Sequence, residues 1–113
     1  MKLYGLKACD TCRKALKELT AAGQDPVFID VRAVPVGPDV LTAWMAELGP
    51  DLVNRRSTTW KGLSEAERAG AENAAGAVEL LLANPALMKR PVIDKDGAVT
   101  LGWTPAVKAA LQG

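Results

Sequence analysis

The tightest constraint on the fold lies in the first 31 residues, where two short apolar runs flank one amphipathic segment. "KLYG" (2–5) reads as a buried strand. From Asp10 onward, Cys12, Ala15, Leu16, Leu19 and Ala22 recur at three- and four-residue spacing, which predicts a helix stopped by Gly23. "PVFIDV" (26–31) is rich in β-branched residues, carries an aromatic, and reads as a second strand. Strand, helix and strand joined this closely have one good packing, a right-handed crossover with both strands parallel in one sheet.

The other end of the chain predicts a different unit. "RPVID", "KDG" and "AVTLG" read as strand, tight turn and strand, because Asp96-Gly97 is a strong hairpin signal. Thr104-Pro105 supplies an N-cap and a first helical residue, and Val107, Ala110 and Leu111 form the buried side of a last helix. Between the two ends the pattern is helical. Asp39 opens a segment through Leu41, Trp44, Met45 and Leu48, and a short element follows around Leu52–Val53. "NRRSTTWKGL" is polar and aperiodic, and reads as an ordered loop. Ser64-Glu-Ala-Glu67 is a capping box, opening one Ala-rich helix expected to reach Asn84-Pro85, thinned or kinked near Gly76. "PALM" (85–88) adds one more turn. The expectation is an α/β fold: a four-stranded mixed sheet, β-α-β then β-β-α, with a helical insertion at about 38–88. That is a thioredoxin-like arrangement in a single domain over residues 1–113.

Composition narrows function by exclusion. Fourteen basic against thirteen acidic residues leave no surplus for direct nucleic-acid binding. No apolar run approaches the roughly 20 residues that span a bilayer, and the N-terminus lacks a signal-peptide pattern. The expected location is cytoplasmic, without a membrane partner, where thiols stay reduced. The chain contains no histidine, which removes a Ser-His-Asp triad, a Cys-His nucleophile and every histidine zinc site.

Both cysteines lie in "ACDTCRKAL", as Cys9 and Cys12. Zinc needs four ligands and one chain offers two, so no metal site is expected. A disulfide across so short a loop constrains the unfolded chain little. Cys12 falls on the apolar helix face, where a free cysteine also serves as a small hydrophobe. Cys9 stands at the helix start, where unpaired N–H groups and the helix dipole favour an anion. Lys7, Arg13 and Lys14 add positive charge, partly offset by Asp10. With no imidazole base, electrostatic lowering of the thiol pKa is the available activation. Cys9 is therefore the candidate nucleophile, and Cys12 either resolves a disulfide or packs. Pro91, at the head of the third strand, is expected to follow a cis bond from Arg90, as in thioredoxin-type domains.

"LYGLKACDTCRKAL", "ELGPDLVNRRSTTWKGL", "MKRPVID" and "LGWTPAVKAAL", in this order and spacing, resemble the arsenate reductase/Spx/YffB-type family of thioredoxin-fold proteins, most of all its YffB-like members. The resemblance implies a thiol-dependent reductase. Cys9 would attack an oxyanion or a glutathione mixed disulfide, and glutathione or Cys12 would resolve the adduct. It implies no bound cofactor, glutathione as co-substrate and a glutaredoxin as partner. By position, Arg13 joins Cys9 and Cys12 in the catalytic set, while Arg56, Arg90, Pro91 and Arg55 hold the anion. Two positions depart from the arsenate reductase pattern: Gly5 stands in place of a histidine, and Trp103 in place of a further arginine. The thinner clamp turns the expectation from arsenate toward a glutathione or peptide thiol adduct. The Spx-like branch implies the alternative, a redox-sensitive regulator binding the RNA polymerase α subunit.

Overall fold

In the computed structural model, which describes residues 1–112, the chain opens with strand β1 (Lys2–Gly5), helix α1 (Asp10–Ala21) and strand β2 (Val27–Asp30). Helices α2 (Pro38–Leu48), α3 (Thr58–Lys61), α4 (Glu65–Ala69) and α5 (Ala74–Ala83) follow. Short 3-10 turns lie among them at Gly49–Leu52, Gly70–Glu72 and Pro85–Leu87. Strands β3 (Val92–Lys95) and β4 (Ala98–Leu101) and helix α6 (Pro105–Gln112) come last. The chain divides into two compact units, one formed by Met1–Val34 with the segment from Arg90 onward, the other by Pro35–Lys89.

The first unit holds the sheet, in the order β2-β1-β3-β4. β1 runs parallel to β2 and antiparallel to β3, so Leu3 stands between Phe28 and Ile93. β3 and β4 form an antiparallel hairpin in which Lys95 pairs with Ala98. Asp96 and Gly97, the two residues between them, have φ of 54° and 89°. Positive φ at both positions matches the right-handed strand twist, which is why Asp-Gly predicts this turn. Leu3 and Ile93 from the sheet pack with Cys12, Ala15 and Leu19 of α1 and Leu111 of α6. Each large aliphatic side chain buried there contributes roughly 1.5–3 kcal/mol. The mixed sheet and its helices are the thioredoxin-like arrangement expected from the pattern. The Arg90-Pro91 bond is cis.

The second unit is helical. Leu41, Trp44 and Met45 of α2 and Ala77, Val78 and Leu81 of α5 are buried. A single bridge pairs Val53 with Met88. The Asn54 amide donates to the Leu87 carbonyl, and the Lys89 amide to that of Leu52. This short ladder anchors the loop that carries Asn54, Arg55 and Arg56.

Two expectations are corrected here. "NRRSTTWKGL" is not loop throughout, because Thr58–Lys61 forms a helical turn capped by Ser57, whose hydroxyl accepts from the Trp60 amide. The Ala-rich helix is not continuous either. The capping box forms as expected, with Ser64 and Glu67 bonded reciprocally. The helix then ends after one 3-10 turn, and Asn73, in extended backbone, caps a new helix by accepting from the Gly76 amide. An added Cβ at Gly76 would run into the Gly70 carbonyl, so this glycine lets the turn fold back onto the start of α5.

Candidate functional site

β1 ends at Gly5, and the chain reverses tightly before α1, with the Cys9 amide donating to the Leu6 carbonyl at 3.0 Å. This places Cys9 at the N-cap of α1, with extended backbone, and its carbonyl accepts the first helical bond from the Arg13 amide. The Cys9 side chain makes no capping hydrogen bond by ordinary geometry. The Cys12 amide is nevertheless close enough to favour the sulfur as an anion.

Cys9 is half-buried and Cys12 fully buried, and both are free thiols. Burial works against the Cys9 thiolate, but the Cys12 amide, the Cys12 thiol and the Arg90 guanidinium together outweigh it and hold the Cys9 pKa below its ordinary value. Arg90 acts both by hydrogen bond and by charge. For Cys12 burial dominates. A Leu6 amide favours its anion, but the neighbouring Cys9 opposes it, and the thiol is pushed up to about 12. One thiol of the pair is thus prepared to ionise and the other to keep its proton.

Gly5 explains how Cys12 fits. An added Cβ there would collide with Cys12 Sγ and lie 3.2 Å from Cys12 Cβ. Lack of a side chain at the end of β1 is what seats the Cys12 thiol. Spacing arguments missed this contact. Its trace in the sequence is the glycine that closes the strand after Leu3 and Tyr4.

The site residues expected from the sequence divide into three groups. Cys9, Cys12 and Arg90 come together in the first unit, and Pro91 follows Arg90 as a buried residue whose carbonyl accepts from Gly102. Arg13 is turned elsewhere, its guanidinium pairing with Asp10 at 2.8 Å on the exposed side of α1. Arg55 and Arg56 belong to the second unit. Arg55 donates to the Pro50 and Ala71 carbonyls, and its guanidinium stacks 5.3 Å from the centre of the Trp60 ring. Arg68 lies 5.9 Å from the same ring and donates to the Trp60 and Lys61 carbonyls. Arg56 is exposed and lines an open cavity of about 480 Å³ with Asp51, Val53, Asn54, Arg55 and Lys89.

Trp103 also has a defined place. Its indole N–H donates to Glu18 at 2.6 Å, and Lys108 binds the other carboxylate oxygen at 2.6 Å. The Lys108 and Trp103 bonds hold the Glu18 carboxyl below its ordinary pKa. The cluster ties α6 and the preceding loop to α1, the helix that carries both cysteines.

A strand, a helix that starts at Cys9, a cis-proline and a mixed sheet together define a thioredoxin-like fold. The family model described as the ArsC family matches residues 4–110, and the chain belongs to that family. A solved structure of a protein named YffB is 39% identical, with a TM-score of 0.92 over 99% of this chain and 98% of that one. The arsenate reductase (ArsC) related protein from Brucella melitensis is 36% identical, with a TM-score of 0.76 over 96% of this chain and 91% of the other. An uncharacterized protein of Haemophilus influenzae is 38% identical over 102 residues, 89% of each chain.

Proposed function

We propose that this chain is a glutathione-dependent thiol reductase in which Cys9 is the nucleophile. The observation carrying this reading is the environment of Cys9, a helix N-cap whose thiolate is favoured by the Cys12 amide and by Arg90. Membership of the ArsC family supports it. The Cys9 thiolate attacks the glutathionyl sulfur of a mixed disulfide. The Cys9–S–S–glutathione bond forms as the substrate S–S bond breaks, and the released substrate thiolate takes up a proton. A second glutathione thiolate then attacks the glutathionyl sulfur, releasing the Cys9 thiolate and oxidised glutathione. The net exchange consumes one glutathione thiol, frees the substrate thiol and leaves the two glutathione sulfurs joined in oxidised glutathione, and a glutaredoxin is the alternative donor. Dependence on a reduced glutathione pool fits a cytoplasmic location.

Within this reading Arg90 stabilises the thiolate at its start and again as it leaves. Of the two loop arginines, both expected to hold the anion, Arg56 is the one that is exposed and lines an open cavity within the second unit, while Arg55 is engaged by two carbonyls and an indole. A guanidinium suits a carboxylate because it can bind both oxygens at once.

The test is turnover of a glutathionylated peptide with reduced glutathione. Wild-type protein should release the peptide thiol catalytically, and Cys9→Ser should not. Absence of turnover in the wild type overturns the proposal. Retention of RNA polymerase α subunit by the oxidised protein alone would then favour the regulator of Spx type.

A further inference from the structure

We propose that the outer edge of β2 pairs antiparallel with β2 of a second copy of this chain, about a twofold axis at Phe28, joining the two sheets into one. β2 is an outer strand and has β1 as its sole strand neighbour among the described residues. The Val27 amide donates to the Met1 carbonyl and the Val31 amide to that of Gly5, so the odd-numbered residues turn their backbone groups toward β1. Bonding residues alternate along such a strand, which leaves Pro26, Phe28 and Asp30 facing outward. Of their groups, the Asp30 carbonyl already accepts from the Val34 amide at 2.8 Å. Pro26 has no N–H. What remains is the Pro26 carbonyl, both groups of Phe28 and the Asp30 amide. At Gln24 and Arg32, the next outward positions on either side, the amides are bonded within the chain, to the Leu19 carbonyl and to the Asp30 carboxylate.

That remainder is self-complementary. In an antiparallel pair, residues at a hydrogen-bonded position exchange both N–H···O bonds, and a twofold axis normal to the sheet sets one residue opposite itself. With Phe28 on the axis, its amide donates to the carbonyl of Phe28 of the second copy, and the reverse bond forms. The Asp30 amide then meets the carbonyl of Pro26 of the second copy, again in both directions. The two gaps, the absent proline N–H and the engaged Asp30 carbonyl, fall opposite one another. An unrelated extended peptide would bring an N–H and a carbonyl to positions that cannot take them, which is why the occupant is a second copy. The side chains agree with this register. Val27, 58% exposed, comes opposite Ile29 of the second copy, so an apolar pair forms on each side of the axis. Phe28 meets Phe28 and Asp25 falls opposite Val31, so no like charges are opposed. So short a ladder makes a small interface, and the dimer belongs with the weak, transient ones.

The experiment is sedimentation equilibrium of the full chain from micromolar to millimolar concentration, with a reductant present, for wild type and Val27→Glu. Wild type should pass from monomer to dimer within that range. Val27→Glu sets a carboxylate against Ile29 on both sides of the axis and should raise the dissociation constant roughly tenfold or more. A monomer at every concentration, or a dimer equally strong in the variant, overturns the proposal. A second measurement uses the wild type alone, following amide hydrogen exchange by NMR at both ends of the concentration range. The Phe28 and Asp30 amides should exchange more slowly at the high concentration. Exchange of both amides that does not change with concentration refutes the pairing, even if the variant fails to fold or a dimer forms through another surface. Neither measurement involves a thiol or turnover, so failure of the reductase reading is seen separately.

Discussion

Gly5→Ala tests the link between fold and site with one methyl group. The new Cβ would meet Cys12 Sγ and sit 3.2 Å from Cys12 Cβ. Cys12 has no free direction in which to retreat, since it packs in the core with Leu3, Ala15 and Leu19. α1 must lift from β1, or the Cys12 side chain must rotate. Overfilling a packed site costs about 1–3 kcal/mol. Alanine is better than glycine inside a strand by about 0.5–1 kcal/mol, which offsets part of that. The net destabilisation is about 1–2 kcal/mol, and at a urea m-value of about 2 kcal/mol/M the unfolding midpoint falls by roughly 0.5–1 M. Cys12→Ala removes the sulfur that the new methyl meets, so the double variant Gly5→Ala/Cys12→Ala should be more stable than the sum of the single changes predicts. A coupling of about 1 kcal/mol is expected for atoms in direct conflict. Urea unfolding followed by circular dichroism in the four proteins measures it. Additive effects, or an unchanged midpoint for Gly5→Ala, would refute the idea that glycine is there to seat the thiol.

Three further outcomes follow from named contacts. Arg90→Ala should raise the midpoint of Cys9 alkylation against pH, because both a hydrogen bond and a positive charge are lost, and Arg90→Lys should recover part of the shift through charge alone. Cys12 titrates near 12 in the folded chain against about 8.5 when unfolded, so the folded state holds a proton that the unfolded state releases. Its contribution to stability is full below about pH 8.5 and falls as pH rises toward 12, by at most about 1.4 kcal/mol per pH unit. Urea midpoints of wild type and Cys12→Ala at pH 8 and pH 10 should therefore converge as the pH rises. Asn73→Ala removes the cap of α5 and should cost about 0.5–2 kcal/mol, read as a lower urea midpoint, with Asn73→Ser recovering most of it.

The sheet and its flanking helices were legible because each rests on a local rule. The three- and four-residue spacing from Cys12 to Leu19 buries that face of α1, and Asp96-Gly97 makes the hairpin. Cys9 and Arg90 could also be paired in advance, since a helix N-terminus and the segment entering the third strand meet at one end of such a sheet. The break at Asn73 was not legible. Alanine-rich sequence favours helix on both sides of it, and only the close approach of Gly70 and Gly76 shows why the chain turns there. The pairing of Arg13 was not read in advance, because a helix also offers its arginine a carboxylate three residues back, and Asp10 is there. The seat of Cys12 against Gly5 depends on strand–helix spacing, which no linear pattern encodes.

The function proposed for this protein depends on Cys9 being a stabilised thiolate. Alkylation rate against pH, with the adduct located by mass spectrometry, decides it. The midpoint should lie below the ~8.5 of an unperturbed thiol, with the label on Cys9 and none on Cys12 in the folded protein. A midpoint at or above that value, or labelling of Cys12 first, would mean that the helix start and Arg90 do not activate this cysteine.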